Sequence, residues 1–130
     1  MAVVVLDASV LIAFFDASDA HHSAAVAALR SHEHESLVLP ASAYAELLVG
    51  PLRRRPSTAA VIDDFLEALV ARIEPLVAGI ARAAAVLRAR HTAFRLPDAF
   101  VLATAEVLDA TVVLTADRAW AKVSRRVRAI

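Results

Sequence analysis

The chain has 130 residues, 14 of them basic and 14 acidic, a formal net charge of zero and no cysteine. That length suits one domain over 1–130 with a real core, and the balanced charge sets up no global field that would advertise nucleic-acid binding. Without cysteine, disulfides and Cys-ligated zinc are excluded; no apolar stretch approaches the roughly 18 residues of a membrane span, and the apolar amino-terminal run lacks a basic leader, so a cytoplasmic protein without a membrane partner is expected.

Val3-Val-Val-Leu6 is an apolar, mostly β-branched run that ends at Asp7. It predicts a strand buried on both faces. Ser9–Phe15 reads as a short apolar helix with Ser9 near its cap, and Asp16–Asp19 as a turn whose Asp19 caps a helix over 20–31. A second strand spans Glu35–Leu39. Pro40 suits the start of a helix over 41–49, which Gly50-Pro51 is expected to stop. Arg53–Pro56 reads as an exposed connection, and Ser57 as the cap of a helix over 58–71. Arg72–Leu76 is a short strand weakened by Pro75, and 78–91 an alanine-rich helix followed by a loop to Leu96. Pro97 opens a helix over 97–109 with Asp98 in its first turn. Thr111–Thr115 is another β-branched strand, 117–123 one or two helical turns, and 126–130 a final edge strand. Strands alternating with helices imply an α/β sandwich with a parallel sheet and right-handed crossovers.

Four acidic residues occupy positions that such a sheet can gather. Asp7 and Asp117 follow two buried strands, in VVVLDAS and TVVLTAD; Asp98 opens the helix leading into the second; Glu46 lies on a largely apolar helix. Functional groups of open α/β sheets collect beyond the carboxyl ends of the strands. Clustered carboxylates raise one another's pKa unless a cation compensates, and an all-oxygen set suits magnesium or manganese rather than zinc. Each residue alone has a plainer reading. Asp7 can cap the following helix, Asp98 can favour its own helix dipole, Glu46 can pair with an arginine on the surface, and Ser9 and Thr115 can be turn residues.

VVVLDASVLIAFF, DAHHSAAVAAL, LPASAYAELLVG and LPDAFVLATAEVLDATVVLTAD, in that order, resemble the PIN-domain ribonuclease toxins of the VapC family, from type II toxin–antitoxin pairs. The resemblance implies a PIN-like three-layer sandwich with a mainly parallel central sheet flanked by helices. It implies a magnesium-dependent endoribonuclease, manganese being a possible substitute. Asp7 and Asp98 would be the principal metal ligands, with Asp117 completing the site directly or through water. Glu46 would bind metal or position the attacking water, and Ser9 and Thr115 would orient the carboxylates. It also implies RNA as substrate, a homodimer, and a cognate antitoxin laid into an apolar groove, for which the helices at 9–15 and 41–49, with Phe14, Phe15, Leu47 and Leu48, are candidates.

Other functions leave different marks. A phosphohydrolase with Asp7 as nucleophile remains an alternative, but the haloacid-dehalogenase pattern wants an aspartate two residues later, where Ser9 stands. A non-catalytic PIN-like binding module is a third reading, and all four acids argue against it. His21-His22 and His32–His34 read as solvent-facing rather than as a metal site. Trp120, Phe65 and Phe100 read as core, and Arg53–Arg55, Arg118, Arg125, Arg126 and Arg128 as surface cations available to phosphate.

Overall fold

The computed structural model describes residues 2–130. Five strands, β1 (Val3–Leu6), β2 (Ser36–Pro40), β3 (Arg72–Glu74), β4 (Val112–Thr115) and β5 (Val127–Ala129), form one sheet in the order β3-β2-β1-β4-β5. All four pairings are parallel. A parallel sheet needs crossovers, and these are α1 (Ala8–Phe15), α2 (His22–His32), α3 (Ala41–Arg54), α4 (Ser57–Ala68), α5 (Ala78–Arg90) and α6 (Leu96–Val107), with a short 3₁₀ helix at Arg118–Lys122 before β5.

The three inner strands are buried as their uninterrupted apolar runs require. Val4, Val5, Leu6, Leu37, Val38, Leu39, Val113 and Leu114 form the centre of the core. α6 lies against β1, β2 and β4. α5 packs along α6 through Ile80, Ala84, Ala99 and Ala103, where alanines let two helix backbones approach closely. Trp120 is buried and meets Phe94 edge-on at 5.6 Å, which fixes the 3₁₀ turn to the core.

Several boundaries differ from the sequence expectation. α3 does not stop at Gly50-Pro51 but runs to Arg54. Proline already has a helical φ and costs one hydrogen bond, and the Arg55 amide closes the next turn on Pro51 O at 2.8 Å. α4 ends at Ala68 rather than 71 and α6 at Val107 rather than 109. Both close with the same reversal. Val70 (φ 56°) and Asp109 (φ 51°) sit in the left-handed region. The Ala71 amide reaches back to Leu66 O and the Val70 amide to Glu67 O; likewise Ala110 bonds Ala105 O and Asp109 bonds Glu106 O. This is the Schellman closure, usually built on glycine. Ser57 is the first helical residue of α4, not a side-chain cap, and Pro40 is the last residue of β2 as well as the flank of α3.

The apolar groove expected along the helices at 9–15 and 41–49 is partly filled from within. Phe14 stacks on Phe65 of α4 at 4.7 Å, and Phe15 meets the same ring edge-on at 5.2 Å. Tyr44 of α3 donates to Asp63 of α4 at 2.5 Å, tying the two helices together.

Candidate active site

The sheet order dictates where the site lies. From β1 the chain first moves outward through β2 and β3, then returns to the other side of β1 for β4 and β5. Consecutive crossovers therefore leave in opposite directions beside β1, and the crevice at such a switch point is where α/β sheets bind ligands. Asp7 stands at this point. Its amide donates to Leu114 O of β4 at 2.9 Å, and its side chain is only 6% exposed.

Asp7 occupies the N-cap position of α1, but its side chain makes no capping bond to that helix. Instead Ser9 Oγ donates to Asp7 Oδ2 at 2.6 Å, and Thr115 Oγ1 donates to the same oxygen at 3.0 Å. An ionised carboxylate can only accept, which sets the direction of both bonds; the two hydroxyls also lie 3.4 Å from each other. Ser9 Oγ accepts the Ala116 amide at 3.0 Å and Thr115 Oγ1 accepts the Asp117 amide at 3.1 Å. Each hydroxyl has one proton. With backbone amides pointing at both oxygens, both protons go to Asp7 Oδ2, and Oδ1 receives no hydroxyl. Ser9 and Thr115 are thus neither simple caps nor simple turn residues. They link the end of β1 to the turn after β4.

Burial pushes the Asp7 carboxyl above its ordinary pKa; the Ser9 and Thr115 hydroxyls pull it down, and the charge of Asp98 pushes it up again. Asp98 is in the first turn of α6, as expected, and its side chain is 17% exposed. Glu46 also has a raised pKa, from partial desolvation first, then from the charges of Asp7 and Asp98, with Arg95 opposing. Glu46 is nevertheless solvent-exposed on α3, so its desolvation is only partial. These three carboxylates feel one another's charge. Arg95, which no motif singles out, lies 3.5 Å from Asp98 through its Nε.

Asp117 is different. It follows β4 on the exposed side and its Oδ1 accepts the Ala119 amide at 3.0 Å, capping the 3₁₀ turn. It lines a groove of about 710 Å³ that opens beside Ser9 and carries His21 and Arg118. Among the described residues no three carboxylate or histidine groups converge tightly enough to form a ready metal-ligand set. The donor chemistry still suits a hard divalent cation. The groups are oxygens, neighbouring carboxylates oppose the ionisation of Asp7 and of Glu46, and the buried member keeps Oδ1 clear of the hydroxyl donors.

The histidines keep out of this chemistry. His32 pairs with Glu35 at 3.2 Å and His34 with Glu33 at 3.5 Å. His22 is half-buried rather than solvent-facing, its Nδ1 2.8 Å from Ala13 O at the end of α1. Arg126 is committed to Asp109 at 3.0 Å and to Ala110 O, and Arg128 to Arg125 O and Val127 O. These two therefore brace the carboxyl-terminal strand.

Comparison with known proteins follows this geometry. The sequence model described as PIN domain matches residues 4–126. The chain is similar in structure to VapC20 of Mycobacterium tuberculosis, a toxin that cleaves the sarcin–ricin loop, at 21% identity and TM-score 0.69 over 85% of this chain and 86% of that one. It is similar to a toxin–antitoxin complex from Klebsiella pneumoniae at 20% identity and TM-score 0.75, over 96% and 95% of the two chains. It is also similar to VapBC2 of Rickettsia felis, solved bound to a DNA fragment from its promoter, at 13% identity and TM-score 0.80 over 98% of each chain. At these identities the likeness speaks for the fold. Among curated proteins none is similar enough to count as a match.

Proposed function

The chain belongs to the PIN-domain family, and from that premise we propose that it is a metal-dependent endoribonuclease and the toxin of a type II toxin–antitoxin pair. The observation that carries this reading is Asp7: a buried carboxylate at the switch point of a parallel sheet, charge-coupled to Asp98 and Glu46. Asp7 and Asp98 would hold Mg²⁺, or Mn²⁺ in its place, with Glu46 and Asp117 completing the set. Such a cation supplies water activation at neutral pH and charge neutralisation at the leaving oxygen.

The chain's own residues do the rest. Ser9 and Thr115 hold Asp7 Oδ2, which leaves Oδ1 without a hydroxyl donor and available to a cation. Glu46, exposed and weakly acidic, can accept a proton from the attacking water. No histidine or lysine contributes to this set, so protonation of the leaving oxygen falls to solvent. The protein acts as a single domain over 1–130, in the cytoplasm, as a homodimer held by apolar helical faces. No helix among the described residues is long and apolar enough to cross a membrane. A cognate antitoxin is proposed as partner because two of the similar structures are toxin–antitoxin assemblies or named for one.

The test is cleavage of a structured RNA with Mg²⁺, with EDTA, and with Asp7→Asn or Asp98→Asn. Wild-type cleavage in Mg²⁺ alone is expected, with each variant losing more than about 100-fold, since removing a mere supporting partner already costs about 10–100-fold. Either variant cutting at near wild-type rate overturns the acidic-site reading. Phosphate trapped on Asp7 would favour the phosphohydrolase instead.

A further inference from the structure

The groove beside Ser9 shares Asp117 with the proposed cation set and extends away from it. It lies where α1 and the start of α2 face the turn after β4, and its volume of about 710 Å³ is within the range of pockets that take small ligands. Its polar lining can be sorted by what each group is free to do. Ser9 Oγ is committed, donating to Asp7 and accepting from Ala116. Asp117 is partly committed, accepting the Ala119 amide. Two donors remain, the Arg118 guanidinium and the His21 imidazole N–H, both on exposed residues, and among the described residues neither is in an ion pair. Ala116, Ala119 and Ile130 supply an apolar wall. A planar cationic fork beside small apolar surface is chemistry for a phosphodiester with its ribose and base, since arginine recognises phosphate in a bidentate manner.

We infer that this groove is the subsite for the nucleotide adjacent to the cleaved bond, with Arg118 and His21 donating to its phosphate. This rests on the nuclease reading above and gives that reading a direction. The RNA strand leaves the acidic cluster past Ser9 and over the Thr115–Lys122 turn. In a chain with no net charge, local donors of this kind must supply the phosphate contacts that a basic surface supplies elsewhere.

The experiment is fluorescence anisotropy of a labelled single-stranded RNA oligonucleotide in EDTA, where no cleavage occurs, over a series of salt concentrations. Arg118→Ala and His21→Ala are compared with wild type and with Arg30→Ala, an exposed arginine of α2 away from the groove lining. Arg118→Ala is expected to weaken binding about tenfold and to flatten the salt slope by about 0.7, the increment for one phosphate contact on a single strand. His21→Ala is expected to weaken binding less, and Arg30→Ala not at all. Binding and salt slope unchanged in both groove variants, with wild type still cutting RNA in Mg²⁺, overturns the subsite and leaves the nuclease standing. Wild type that neither binds nor cuts RNA overturns both.

Discussion

In the metal-free protein Asp7 is a buried carboxylate with two hydroxyl donors and a like charge nearby, and burial wins: its pKa is raised. The folded chain therefore takes up this proton more readily than the unfolded chain. The resulting stability is present below the ordinary value of 3.8 and is lost as pH rises through the raised value. Asp7→Asn removes the charge while keeping an oxygen for Ser9 and Thr115. In chelator its melting midpoint should exceed that of wild type at neutral pH, the difference shrinking as pH falls toward 3.8. A midpoint equal to or below wild type throughout would contradict the electrostatic picture. The hydroxyls admit a sharper test. Thr115→Val is nearly isosteric but takes a donor from Asp7 and an acceptor from the Asp117 amide. Mn²⁺ affinity, followed by calorimetry, should fall about 10–100-fold, as for other groups that orient a metal ligand. Thr115→Ser should retain most of it. Full affinity in Thr115→Val would overturn the orienting role of the hydroxyl, and equal loss in both variants would mean that the methyl matters as well.

At the scale of elements, the sequence carried the strands and helix starts but misplaced helix ends. β1, β2 and β4 were legible because fully buried strands demand unbroken β-branched runs. Asp98 was legible because Pro97 marks the first turn of α6. Gly50-Pro51 misled, because proline's φ is already helical and the turn beyond it closes on Pro51 O, so the pair does not break α3. The ends of α4 and α6 were invisible for the opposite reason: a left-handed closure normally advertises itself with glycine, and here it uses Val70 and Asp109. The chain's two glycines lie inside α3 and α5 instead. Asp109 tolerates the conformation and gains Arg126 as a partner, but Val70 is β-branched and 82% exposed. Val70→Gly should therefore stabilise the fold by about 1 kcal/mol, net of glycine's greater unfolded-state entropy, moving the thermal midpoint by about 4 °C. A lower midpoint would show that the valine side chain packs to more effect than its exposure suggests.

At the scale of the molecule, the acidic site is a product of topology. Pattern alone could place Asp7 and Asp117 at strand ends, but not the turn of Asp117 toward its own 3₁₀ helix, nor the exposure of Glu46, nor Arg95 beside Asp98. Those depend on side-chain direction, which periodicity does not encode. A bound cation should stabilise the whole fold by mass action, by about 2.7 kcal/mol at a hundred times its dissociation constant. Mg²⁺ should accordingly raise the wild-type midpoint and leave that of Asp7→Asn unmoved; an equal rise in both would place the ion elsewhere. The hydroxyl that completes Asp7 comes from Thr115, 108 residues later in the chain, on a strand that pairs with the first one made. During synthesis, then, β1 waits unpaired on its β4 side until the segment through Thr115 has left the ribosome. A chain interrupted before Thr115 has Asp7 but neither the strand beside it nor the hydroxyl that orients its carboxylate.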